Sequence, residues 1–251
     1  FITGKLFSIE NFRNIIHGFT TKNSFLKNST CQDLTFDFCP SHKEESKRKL
    51  LKYCPKVFKK IYTLNQIHSD IVINLDQVKN TEIILGDALI SSKENLLIGV
   101  ITADCVPILL ADNNKKVIGA VHAGWKGILN RIVQKTIKQM KRDFSTNSEN
   151  IFCVLGPSIS QCCYEVGDNL VELFSTEFRS WKLFNQNLFL PRHLNLKQIL
   201  FEQIRREGVP NFNIESIEIC TKCDERFFSY RRDGDKSGRQ LSFIGIKKNF
   251  T

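Results

Sequence analysis

The sequence predicts an α+β fold built on a mixed β-sheet. Short β-branched runs between turn signals fill residues 61–123, the pattern of a well-buried sheet. After Gly127 the apolar period lengthens to three and four residues, which is helical. The later strands and helices follow without a regular strand–helix–strand repeat, which favours a mixed sheet.

Taken in order, "SHKEESKRKLLKYCPKVFKK" (41–60) reads as a helix with Leu50, Leu51 and Tyr53 turned inward, ended by Pro55. Its lysines form a solvated face. Strands are expected within "IYTLNQIHSDIVIN", "EIILGDALI" and "NLLIGVITADCVPILLAD"; a turn at "NNKK" then leads into "VIGAVHAGW". Ile128, Leu129, Ile132, Val133, Ile137 and Met140 line one face of a single amphipathic helix over 127–143. A strand at "NIFCVLGPSI", helices near 167–178 and 195–207, and a strand at "IESIEICT" complete the expected order.

A chain of 251 residues, 41% hydrophobic, can bury one sizeable core, so residues 1–251 are expected to form a single domain. No run approaches the roughly 18 apolar residues of a membrane span. The first residues also lack the basic and apolar regions of a signal peptide. Nine cysteines, an odd number at irregular spacings, favour free thiols in a reducing compartment, hence a cytoplasmic location. The charge of +10 would suit an acidic partner. Lys, Asn, Ile and Phe are frequent throughout, however, and no nucleic-acid role is expected.

Three residues of metal-ligand type end successive strand-like runs: His68 in "LNQIHSD", Cys105 in "ITADCVP" and His122 in "AVHAGWKG". Two imidazoles and one thiolate leave the fourth tetrahedral position of a zinc ion open, which is the catalytic pattern. Taken singly, each is as readily a packing residue. Gly124 and Gly127 permit a tight turn after His122, and the following helix start is a candidate anion site. There Trp125 is a candidate for stacking on a ligand ring and Lys126 for an anion contact. Asp104 is a candidate for orienting a ligand or moving a proton. Arg231, Arg232 and Arg239 offer the guanidinium forks that suit phosphate.

The blocks "NQIHSD", "GDALI", "TADCVPILLAD", "AVHAGWKG", "VLGPSISQCCYEVG", "ICT" and "FFSYRRDGDKSGRQ" together resemble the laccase-domain family. That family is also described as YfiH-like or multicopper polyphenol oxidoreductase, and its members are regarded as purine nucleoside phosphorylases. The resemblance implies a layered α/β/β/α fold and zinc held by His68, Cys105 and His122. It further implies phosphorolysis of adenosine, inosine, guanosine or methylthioadenosine, with adenosine deamination beside it, so that purine nucleoside and phosphate are the expected partners. It adds weight to Asp87 in "GDALI" and, more weakly, to Arg48 in "SKRKL" as substrate contacts. The stretch "TTKNSFLKNST" departs from the family pattern, having no glycine or arginine.

Zinc is therefore expected in preference to copper. Two histidines and a cysteine are also the blue-copper set, but five histidines in all are too few for a trinuclear laccase cluster, and Met140 sits on an apolar helix face. The alternatives are a copper-dependent polyphenol oxidase, a cysteine hydrolase with Cys105 as nucleophile, and a non-catalytic regulatory protein in which zinc stabilises the fold. The sequence leaves the oligomeric state open.

Overall fold

The computed structural model describes residues 1–8, 12–22, 36–79, 84–112, 114–181, 189–190 and 192–248. The elements run β1 (Ile15–Phe19), α1 (Lys43–Leu51), β2 (Ile61–Thr63), β3 (Val72–Asn74), β4 (Ala88–Ser91), β5 (Leu97–Thr102), β6 (Val106–Asp112) and β7 (Val117–Ala123). Then come α2 (Trp125–Leu129), α3 (Ile132–Phe144), β8 (Ile151–Leu155), α4 (Asp168–Phe178), β9 (Phe189–Leu190) and β10 (His193–Leu194). The chain continues with α5 (Leu196–Arg206), β11 (Ile214–Ser216), α6 (Tyr230–Asp233) and β12 (Gln240–Ile246).

Two mixed sheets stack face to face. One has the order β1-β12-β5-β2, the other β11-β8-β6-β7-β4-β3. In β6 the side chains alternate between two apolar layers, as strand geometry demands. Leu109 and Ala111 face the gap between the sheets, where Ile98, Val100 and Ile244 of the smaller sheet meet them. Ile108 and Leu110 face the other way, onto Ile132 and Ile137 of α3, Ile199 and Ile204 of α5 and Phe174 of α4. That double burial explains why "VPILLAD" is apolar without interruption. On the outer face of the smaller sheet, Leu50 of α1 packs with Phe38, Phe58, Leu97 and Phe243. The layers are thus helix, sheet, sheet, helices, and the α+β expectation with flanking helices holds.

Several boundaries differ from expectation. The amphipathic stretch after Gly127 is two helices, because Arg131 adopts a left-handed backbone (φ 64°) between α2 and α3. Its guanidinium lies 4.3 Å from the ring centres of both Phe178 and Trp181 and pairs with Glu177 at 2.6 Å, which holds the break open. The apolar stripe of α3 survives: Ile132, Val133, Ile137 and Met140 are fully buried, each worth about 1.5–3 kcal/mol. Helix α1 stops at Leu51, and Tyr53 is exposed. Strand β11 covers only the start of "IESIEICT"; the chain then runs irregularly beside residues 155–158, pairing again at Ser158 and Cys220. Of the "TTKNSFLKNST" stretch, residues 23–30 lie outside the described residues.

The two sheets exchange chain at two places that matter below. The segment from β2 to β3 leaves the smaller sheet for the larger, and so does the short link from β5 to β6. Nearby, Gly156 follows β8 under the ring of Phe19: a Cβ there would overlap that ring and press on Pro107 at 2.9 Å. Gly156→Ala is expected to lower stability by about 1–3 kcal/mol through overpacking, read from the midpoint of urea unfolding.

Candidate metal centre

His68 stands on the first of those crossovers and Cys105 on the second, while His122 is the penultimate residue of β7. The local backbone is bent to present them: His68 has φ 56° and Asp104, just before Cys105, has φ 86°. The Gln66 amide pairs with both backbone groups of Ile101 at 2.7 Å, tying one crossover to the strand that feeds the other. As a result one ligand-type atom from each of His68, Cys105 and His122 lies within 4.8 Å of the others. The Cys105 Sγ is 4.0 Å from His68 Nε2, and the two imidazole rings meet edge to face at 4.8 Å.

Asp87 organises this trio without belonging to it. Its carboxylate is fully buried and accepts from His122 Nδ1 at 2.7 Å. It also accepts from the backbone N–H groups of Ile67, His68 and Ser69 and from the Ser69 hydroxyl. A carboxylate can only accept, so the proton sits on Nδ1 of His122 and the Nε2 lone pair is left for a metal, the carboxylate–histidine–metal arrangement. Asp87 was expected to touch substrate; it holds the His68 loop and the His122 ring instead.

The charges agree. Burial would raise the Asp87 carboxyl, but the His122 and Ser69 hydrogen bonds outweigh it and bring the group down to about 2. Burial would likewise raise the Cys105 thiol; the His122 and His68 imidazoles beside it pull it down to about 6. Opposing burial, Cys105 and Asp87 push His122 up to about 9. Without metal the site is thus a thiolate beside an imidazolium, and an ion that binds His122 Nε2 displaces the proton there.

Gly124 closes the floor of the site. A Cβ at this position would lie 3.0 Å from the His68 ring and 3.3 Å from Cys105 Sγ. Gly124→Ala is expected to weaken metal binding by about 10-fold, since displacing His68 costs as much as losing a supporting contact. Global stability should hardly change; metal titration and thermal unfolding on the same variant separate the two.

The trio opens into a cavity of about 560 Å³, also lined by Asp104, Tyr164, Arg231 and Arg239. A larger cavity of about 1100 Å³ beside α1 and β2 contains none of the trio. Arg48 belongs to that one, which removes it from the site. Trp125 and Lys126 do not line the smaller cavity either. Trp125 packs against the core beside α3, and the Lys126 ammonium sits 5.5 Å over its ring, so the structure does not bring this pair together with the residues of that cavity. Arg232 is consumed by the carbonyls of Thr221, Lys222 and Phe227 and by Asp233. Asp104 binds the Thr221 hydroxyl at 2.7 Å and the Arg231 N–H at 2.6 Å; it fastens two loops rather than standing free for proton transfer.

Arg231 and Arg239 do face the cavity, the first held by the Glu165 carbonyl at 2.7 Å and the second by the Ser237 carbonyl at 2.6 Å. The sequence reading missed Lys43 and Tyr230, which join them there, and left Tyr164 without a role. Burial pushes the Tyr164 phenol up to about 12, so it stays protonated at neutral pH. Tyr230 was legible as the residue opening the "YRRDG" cluster; nothing in the sequence marked Lys43.

Residues 17–247 match the family model described as multi-copper polyphenol oxidoreductase laccase. The chain belongs to this laccase-type family. A Clostridium acetobutylicum relative named as a purine nucleoside phosphorylase is 44% identical over 188 residues, 74% of this chain and 76% of the relative. The YlmD structure from Geobacillus stearothermophilus superposes with a TM-score of 0.80 at 26% identity, covering 96% of this chain and 94% of that one. The Bacillus licheniformis YfiH structure gives 0.79 at 28% identity, covering 95% of each.

Membership of the laccase-type family corrects the expectation of a zinc-dependent purine nucleoside phosphorylase. The matched family is a copper oxidoreductase family, and two imidazoles with one thiolate make copper at least as good a fit as zinc. The histidine count argues only against a trinuclear cluster; a single-metal centre needs no more than the trio provides. Met140, fully buried in the α3 core, is no ligand. What the relatives do support is catalysis in general, on a small-molecule substrate. No helix among the described residues is long and apolar enough to cross a membrane.

Proposed function

We propose that the chain is a laccase-type copper enzyme, its residues 1–251 acting as one catalytic domain on a small aromatic molecule held in the 560 Å³ cavity. The observation that carries this reading is the convergence of one thiol and two histidine rings at the cavity wall, in a chain of the copper oxidoreductase family. His68, Cys105 and His122 would hold the ion, which when bound supplies one-electron redox chemistry. Asp87 fixes the His122 tautomer. Phe38, Ile101 and Ile159 give the cavity its apolar wall, while Tyr164 and Tyr230 offer ring faces to an aromatic guest.

A second reading concerns the substrate, and a specific observation favours it: Lys43, Arg231 and Arg239 line the same cavity. A neutral phenol has no use for three cations, whereas phosphate does. Together with the relatives' names, this supports phosphate-dependent cleavage of a purine nucleoside in that cavity, with or without adenosine deamination.

One experiment separates them. Copper-loaded protein is given a substituted phenol with oxygen uptake recorded, then adenosine or inosine with and without phosphate under argon. Copper-dependent oxygen uptake that Cys105→Ala abolishes supports the oxidase. Release of free base only with phosphate, untouched by removing oxygen, overturns it for the second reading.

A further inference from the structure

The motif "CTKC" (220–223) has redox or metal spacing but, with no second pair beside it in the sequence, reads as two unconnected thiols, and one cysteine of the adjacent Cys162 and Cys163 as incidental. In the structure these four meet. Each contributes an Sγ, and all four sulfurs lie within 4.8 Å of one another. Cys163 is 3.3 Å from Cys223, Cys162 is 3.9 Å from Cys223, and the adjacent Cys162 and Cys163 sulfurs are 3.7 Å apart. From this geometry we infer that Cys162, Cys163, Cys220 and Cys223 form a second metal site, a closed tetrathiolate for a structural divalent ion of zinc type.

The spacing suits the ion. Four thiolates about 2.3 Å from a tetrahedral centre stand about 3.8 Å from each other, close to the distances found. A four-sulfur tetrahedral set selects zinc or an iron–sulfur centre over the harder cations. No ligand position would remain for substrate, so the role is structural, unlike that of the three-residue centre.

The backbone around the cluster is built to hold it. Residues 158–163 and 217–223 run side by side: Thr221 N–H donates to Ser158 O at 3.0 Å, and Ser158 N–H to Ile219 O at 3.3 Å. The Ser160 N–H donates to Cys220 Sγ at 3.4 Å, a bond that favours a thiolate acceptor. The first of these loops also reaches the cavity wall, at Ile159 and Tyr164. Tyr164 follows Cys163 directly, and the Arg231 guanidinium bonds the carbonyls of Cys163 and Glu165. Asp104 then joins Thr221, inside the "CTKC" loop, to the Arg231 backbone. A metal at the four sulfurs would clip the loop that leads into Tyr164 to the "CTKC" loop, which Asp104 ties to Arg231.

The test uses the full chain purified under reductant, as wild type, Cys105→Ala, and Cys105→Ala with Cys220→Ser and Cys223→Ser added. Each is loaded with Co²⁺, whose tetrathiolate complex is intensely coloured. Cys105→Ala is expected to keep one equivalent of Co²⁺ with a strong sulfur-to-cobalt charge-transfer band, and the triple variant to lose both. Because Cys105 is already absent, the outcome is independent of the function proposed above. A Cys105→Ala chain that binds no Co²⁺, or binds it without that band, overturns the inference; so does a triple variant that keeps both ion and band. Should the triple variant not fold, alkylation of the zinc-loaded wild type is mapped by mass spectrometry. All four cysteines are expected to be protected until a chelator is added. Equal labelling before and after chelation, or a Cys163–Cys223 disulfide surviving in reductant, sinks the site.

Discussion

Cys105→Ala is expected to remove one equivalent of metal and, with it, turnover. Losing a mere supporting partner of a metal ligand costs roughly 10–100-fold in affinity or activity, so loss of the sole thiolate of the trio must exceed that. The fold should survive, because Cys105 lies at the cavity and outside the buried apolar clusters. Metal content, activity and thermal unfolding are measured on the same preparation. A metal-free variant with full activity would instead point to chemistry elsewhere in the cavity.

Asp87→Ala should damage both stability and the site. The carboxylate answers three backbone N–H groups, a hydroxyl and the His122 ring, all of which would be left without their acceptor. Breaking a buried charged pair of this kind costs about 3–5 kcal/mol, and metal affinity should fall 10–100-fold as His122 and the His68 loop lose their anchor. Asp87→Asn keeps the shape but turns an amide N–H toward donors, so only partial rescue is expected. The pH dependence gives a separate check on metal-free wild type. Asp87 is depressed from 3.8 to about 2, so its contribution is complete above pH 3.8 and disappears as the pH falls through about 2. Urea unfolding should show that acid loss in wild type, and Asp87→Asn should lack it.

Much of the fold was legible because burial writes itself into residue type. The unbroken apolar run of β6 announced a strand covered on both faces, and the stripe on α3 announced a helix on that sheet. What local pattern cannot encode is a contact made across the chain. The break at Arg131 depends on Phe178 and Trp181, some fifty residues on. The same reason explains the arginines: 231 and 232 are neighbours of one type, and only the short turn of α6 decides that the first faces the cavity while the second is spent on carbonyls. The trio itself could be picked out as ligand types at strand ends. The dependence of His122 on Asp87 could not, since it rests on the antiparallel pairing of β4 with β7. The four-cysteine cluster was invisible for the plainest reason, its halves being some sixty residues apart.

His68 and Cys105 each ride a crossover from the smaller sheet to the larger, and His122 belongs to the larger alone. The three therefore converge only after the sheets have docked, and neither sheet forming by itself offers more than a fragment of the set. An ion that binds the trio must select the finished molecule from the folding ensemble and stabilise it by mass action. A chain still emerging or half assembled would present only scattered thiols and imidazoles, so metal capture becomes a late event that reports the two layers have closed in register.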